Sequence, residues 1–225
     1  MPNWLDKLRN DLIELTIPAA RKLWPSRNQD HPAYFNYRLE HVRQVERDTL
    51  LLWKKLGGDR DILLASVWIH DRFQPAFKGD NHGKLASEWA LKNLELLGFP
   101  KEKIADVCFS IANHSNLSHT LPEKPIEARI LWDADKLAHL GSFEIMILVL
   151  NNLADDMIGK MQTDPDYTSS PYTIEYLLGN RMKSLNLNDS AVEKFYYPIS
   201  KRTAAERIKV QKDFYDCLKR QIAND

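Results

Sequence analysis

Only two cysteines occur in the chain, Cys108 and Cys217, far apart and in no spacing typical of a metal site. A disulfide framework is therefore excluded, and a reducing compartment is expected. Net charge is also missing: 31 basic residues stand against 31 acidic ones. That balance leaves no broad basic surface of the kind duplex nucleic acid requires, so a small-molecule partner is expected instead. The N-terminal MPNWLDKLRNDLIELTIPAA breaks its apolar residues with charges and shows no small-residue cleavage site. Neither a signal peptide nor a membrane span is expected, and the chain reads as cytoplasmic. Few runs alternate with period two, which weighs against a sheet. No glycine-rich phosphate loop is present, and NHSNLSH, where serine and histidine come close, lacks a nucleophile elbow. Serine hydrolysis is disfavoured.

What the sequence does contain is helical periodicity. Val42, Val45, Thr49, Leu52 and Leu56 step by three and four, and Gly57-Gly58 stops the pattern. A short helix is expected over 59–71, another over 84–97 closed by Gly98 and Pro100, and a third over 103–114 with Ile104, Val107 and Ile111 on one stripe. Residues 127–158 read as a long helix with an interruption at Gly141, 159–171 (GKMQTDPDYTSSP) as a loop, and two or three helices as following it. The predicted architecture is an all-α bundle in one globular unit with a helical tail. Trp53, Trp68, Trp89 and Trp132 fall at apolar helix positions and are expected in the core, Trp68 or Trp132 being placed to stack on a base. The amphipathic first helix, with Trp4, Leu5, Leu8, Leu12 and Leu15, offers a dimer surface, but packing on its own domain is the better reading.

The run ILLASVWIHDRF at 62–73 heads into a core and ends on His70-Asp71. Burying an ionised carboxylate costs free energy unless something pairs with it. His41 lies at the edge of the Val45 and Leu52 face, His70 follows Leu63 and Val67, and His114 follows Val107 and Ile111. One inward histidine is most often a hydrogen-bonded core residue. Three of them with an aspartate suit a divalent ion such as Mn, Fe, Ni or Zn, which would cancel the buried charge.

The order His41, then His70-Asp71, then an aspartate in LWDADKLAHLG resembles the HD superfamily of metal-dependent phosphohydrolases over roughly residues 30–150. GDNHG and IANHS resemble two further histidine motifs of some branches. The resemblance implies a helical HD-type bundle over 1–225, with a core at about 30–158 and a C-terminal helical extension at 159–225. It also implies a central divalent ion, Mg being admissible too, held by His41, His70, Asp71 and Asp135. Asp133 competes with Asp135, but residues two apart on a helix point about 200° apart. Asp133 is then expected to be a solvent-exposed or capping carboxylate. His82 and His114 either complete a second ion sharing Asp71, as in dinuclear branches, or contact water and phosphate as catalytic groups beside His70 and Asp71.

A bound divalent ion lowers the pKa of coordinated water from near 16 toward about 7 and polarises a phosphoryl oxygen. The expected activity is hydrolysis of a small phosphorylated substrate, a nucleotide foremost. Arg38 shares the helix side of His41, Arg72 follows the His-Asp pair, and Lys84 flanks His82, as Lys78 does more distantly; these are the candidate phosphate anchors. Two features depart from the family. Arg72-Phe73-Gln74 stands where some nucleotidases and guanosine-polyphosphate hydrolases carry an acidic residue. Ala138 replaces a third aspartate, with His139 beside it. A dinuclear iron oxygenase and a catalytically silent nucleotide-binding regulator are the alternative readings.

Overall fold

The computed structural model describes residues 3–23, 35–74, 81–115, 120–147 and 189–222, and no strand occurs among them. The all-α expectation holds. The chain divides into two compact units, 1–138 and 139–225.

In the first unit, α1 (Asn3–Leu23) buries Trp4, Leu5, Leu8 and Leu12, and the Trp4 ring meets Phe99 edge-on at 4.8 Å. Its apolar face is thus spent inside its own unit, chiefly against α3. Next, α2 (Tyr37–Leu56) begins where the Asn36 side chain accepts the Leu39 N–H at 3.1 Å and ends at Gly57, whose φ is 81°. Gly58 continues the turn at φ 96°, and a Cβ there would lie 3.0 Å from Glu127 Oε1. That approach lets Glu127 accept the Asp59 N–H at 2.5 Å.

Helix α3 (Arg60–Ile69) starts from Asp59, whose carboxylate accepts the N–H groups of Asp61 and Ile62. Every residue from Ile62 to Ile69 is buried. A helix apolar all round belongs in the middle of a bundle, and α3 packs on α1, α2, α5 and α6. It is shorter than the expected 59–71, because the chain tightens into turns at 70–74, with the Arg72 N–H bonded to the Ile69 carbonyl at 3.0 Å. The central helix therefore delivers His70 and Asp71 to the heart of the unit at its last turn.

Helix α4 (His82–Leu97), closed by left-handed Gly98, lies along α5 (Ile104–Asn113), which is preceded by the 3-10 turn Lys101–Lys103. Helix α6 (Ile126–Ala138) packs on α2, α5 and α3. In the second unit Gly141 adopts φ 86° and 142–147 are helical, so the long helix expected from 127 is interrupted there. The remainder of that helix and the loop at 159–171 lie outside the described residues. A 3-10 stretch, Asp189–Lys194, precedes the helix Pro198–Ile222, which buries Ala204, Ile208, Gln211 and Tyr215 on one face. No helix among the described residues is long and apolar enough to cross a membrane.

Candidate metal centre

Five elements bring their polar residues to one point. His41 comes from the second turn of α2 and Asp135 from the last turn of α6; His70 and Asp71 close α3, His82 opens α4 and His114 closes α5. All are buried.

Backbone carbonyls aim two of the rings. His70 Nδ1 lies 2.7 Å from the Val67 carbonyl oxygen, and His114 Nδ1 lies 2.6 Å from that of Ile111. A carbonyl only accepts, so both Nδ1 atoms carry the proton in the neutral rings, and both Nε2 atoms turn a lone pair inward. His70 Nε2 is buried without a hydrogen-bond partner. An orphaned acceptor of this kind is costly in a finished core and is what a cation would satisfy.

The two oxygens of Asp71 divide the histidines into pairs. Oδ2 lies 3.5 Å from His41 Nε2 and 3.8 Å from His70 Nε2, whereas Oδ1 lies 3.5 Å from both His82 Nε2 and His114 Nε2. On the other side of the first pair, Asp135 Oδ1 lies 3.2 Å from His41 Nε2 and 3.8 Å from His70 Nε2. Two donor groups result that could each hold a metal ion, His41-His70-Asp71 and Asp71-His82-His114. The mixture of imidazole and carboxylate fits a divalent transition ion.

The electrostatics agree with ligand protonation states. Burial drives the His70 pKa down to about 4, with the Asp71 and Asp135 charges opposing the fall, so the ring is neutral at pH 7. Burial opposes ionisation of Asp71, but His70 and Arg38 outweigh it and hold the carboxyl well below the usual range. Asp135 behaves alike, burial being outweighed by Lys136, His41 and His70.

Close packing of α4 on α5 makes the second histidine pair possible. His82 Nε2 and His114 Nε2 are 3.0 Å apart. Gly83 allows this, since a Cβ there would meet the Ile111 carbonyl oxygen at 2.9 Å and His114 Cε1 at 3.2 Å.

The candidate anchors separate. Arg38 Nη1 donates to Asp71 Oδ2 and Nη2 to Gln74 Oε1 at 3.3 Å, so this guanidinium stands at the cluster. Arg72 does not: it pairs with Asp11 and lies over the Trp89 ring at 4.0 Å, tying α1 to α4. Lys84 is exposed in the first turn of α4, and Lys78 falls outside the described residues. Trp68 and Trp132 are each 4% exposed, consistent with core positions. His139 lies 3.7 Å from Glu144 Oε2 through Nδ1. Asp133 corrects the sequence reading: it is fully buried, because α6 is covered on nearly every side and has no solvent face there.

Three neighbours escaped sequence reasoning. Lys136 Nζ donates to Asp135 Oδ2 at 2.7 Å, Tyr37 stacks 6.2 Å from the His41 ring, and Gln74 reaches toward His82 at 3.4 Å. Each sits within one turn of a ligand candidate, which was the available signal.

Comparison with known proteins places the cluster in context. The HD domain family matches residues 38–140. No curated protein sequence matches the chain. Among solved structures, an HD-superfamily hydrolase from Bacillus thuringiensis superposes with a TM-score of 0.56 at 21% identity, covering 96% of this chain and 100% of that one. Bacillus subtilis YpgQ gives 0.63 at 14% identity, covering 97% and 95%. YpgQ in complex with ADP gives 0.61 at 16% identity, covering 97% and 94%.

Proposed function

We propose that this chain, whose residues 38–140 match the HD domain family, is a metal-dependent phosphohydrolase acting on a small phosphorylated substrate, a nucleotide foremost. The observation that carries the reading is His70 Nε2, a buried lone pair with no hydrogen-bond partner facing two carboxylates. Coverage of both units by the solved neighbours supports reading 1–225 as one functional domain.

In this reading His41, His70, Asp71 and Asp135 hold the ion. When bound, it supplies a water of pKa near 7 and polarises a phosphoryl oxygen. The protein's own work is to keep the His70 imidazole neutral, the Asp71 and Asp135 carboxylates ionised and the substrate oriented. Val67 fixes the His70 tautomer, as Ile111 does for His114. Arg38 binds phosphate oxygens with its planar fork. His82 and His114 stand on the Oδ1 side of Asp71, where one imidazole can orient a water and the other contact a phosphate oxygen. Arg72 is committed to Asp11, so we assign no substrate contact to it; exposed Lys84 is left as a rim cation.

The division of Asp71 between two histidine pairs favours a second ion in the Asp71-His82-His114 group. The ADP complex of YpgQ supports the nucleotide class. Incubating the Mn-loaded protein with nucleoside mono-, di- and triphosphates and measuring released phosphate tests the substrate assignment. Turnover of at least one class is expected; none on any phosphorylated compound, with oxygen consumed instead, would favour iron oxygenase chemistry.

A further inference from the structure

The oxygen of Asp71 that faces His41 and His70 is also the oxygen that Arg38 grips. A cation held between those two rings and Asp71 Oδ2 would therefore contest the place of the guanidinium. Arg38 is loosely held otherwise. Of its five N–H donors, one goes to Asp71, one makes a 3.3 Å bond to the exposed end of Gln74, and Nε is buried with no hydrogen-bond partner. The Tyr37 ring, 5.2 Å from the guanidinium carbon, gives it an apolar wall to slide along.

Charge makes the same point. The cluster's two carboxylates are matched one to one by cations, Arg38 on Asp71 and Lys136 on Asp135. These four paired groups carry no surplus charge to attract an anion. A divalent ion adds two positive charges and takes over the carboxylates, leaving both side-chain cations available.

We propose that Arg38 is a guard residue that couples metal to phosphate: it closes the Asp71 ligand position in the metal-free protein, is displaced by the ion, and only then serves as the phosphate anchor. The proposal rests on the phosphohydrolase reading and adds an order of binding to it. Phosphate cannot be held before the metal, because its anchor is occupied. Removing the guard frees Asp71, so Arg38→Gln should bind metal more tightly than the native chain while binding phosphate more weakly. A guanidinium that merely positioned Asp71 for the ion would give the reverse sign on metal affinity.

Calorimetric titrations with Mn²⁺ alone, then with inorganic phosphate before and after Mn²⁺ loading, read both halves. For the native protein, Mn²⁺ binding is expected with phosphate heat only after loading. For Arg38→Gln, with helical content checked by circular dichroism, the Mn²⁺ Kd should fall about tenfold and the phosphate Kd of the loaded form rise at least about tenfold, as loss of a charge-assisted fork implies. Arg38→Lys, which keeps the charge and loses the fork, should fall between them. An unchanged or weaker Mn²⁺ affinity in Arg38→Gln, or phosphate binding to metal-free native protein, overturns the guard while leaving the metal centre standing. Absence of Mn²⁺ binding in the native protein overturns both.

Discussion

The Nδ1 of His70 lies 2.7 Å from the carbonyl oxygen of Val67, one turn earlier in the same helix. This one bond selects the tautomer and points the other nitrogen at Asp71 and Asp135. A core histidine satisfied at both nitrogens would be structural; one satisfied by backbone at one end and orphaned at the other is poised as a ligand.

His70→Ala is expected to abolish tight metal binding while the bundle persists. The effect on Mn²⁺ affinity should exceed the ten- to hundredfold typical of losing an outer partner. Calorimetric titration measures it, and circular dichroism reports the fold. Native affinity in the variant would remove His70 from the ligand set.

The metal-free protein should lose stability in mild acid. Burial sets the His70 pKa at about 4 in the folded chain, against 6.5 unfolded. Between those values the unfolded state binds the extra proton, so stability is present above about pH 6.5 and drains away as pH falls toward 4, by roughly 3 kcal/mol at most. Asp71 and Asp135, lowered below the usual 3.8, add the same sign of loss at still lower pH. Urea unfolding of the apoprotein from pH 7 to 4 should show the slope, flattened in His70→Ala.

Asp133 and Asp135 should separate cleanly. Both are buried on α6, and Asp135 lies against His41 and His70. Asp135→Asn should lower metal content, whereas Asp133→Asn should cost stability and leave metal content intact. Elemental analysis beside thermal unfolding of the two variants decides it; equal metal loss in both would mean that α6 presents the two carboxylates together.

Gly83→Ala should act through packing. Its Cβ would press on the Ile111 carbonyl oxygen and on the His114 ring, costing about 1–3 kcal/mol as overpacking does and prising His82 from His114. Metal counting after Mn²⁺ loading should lose the ion of the Asp71-His82-His114 group before that of the His41 group. Unchanged stability and stoichiometry would show that α4 shifts freely on α5.

Much of this was legible in sequence because periodicity and punctuation coincide. Gly57-Gly58 ends α2 where a positive φ is needed, and the apolar run before His70 is continuous because α3 is buried all round. The histidines were legible as inward positions on their stripes. Pairings between helices were not: that Arg72 meets Asp11 across 61 positions, and Arg38 meets Asp71 across 33, depends on tertiary packing that leaves no periodic trace. Asp133 misled for the same reason, since a two-residue offset implies an exposed face only on a helix that has one.

Phosphate release as a function of bound Mn²⁺ per chain, in the native protein and in Asp71→Asn, tests the central claim most directly, because Asp71 touches both histidine pairs. Release from a nucleotide should rise with metal loading, vanish on chelation and be absent from Asp71→Asn with the helical fold retained. Release that persists without metal, or survives in Asp71→Asn, would contradict the account.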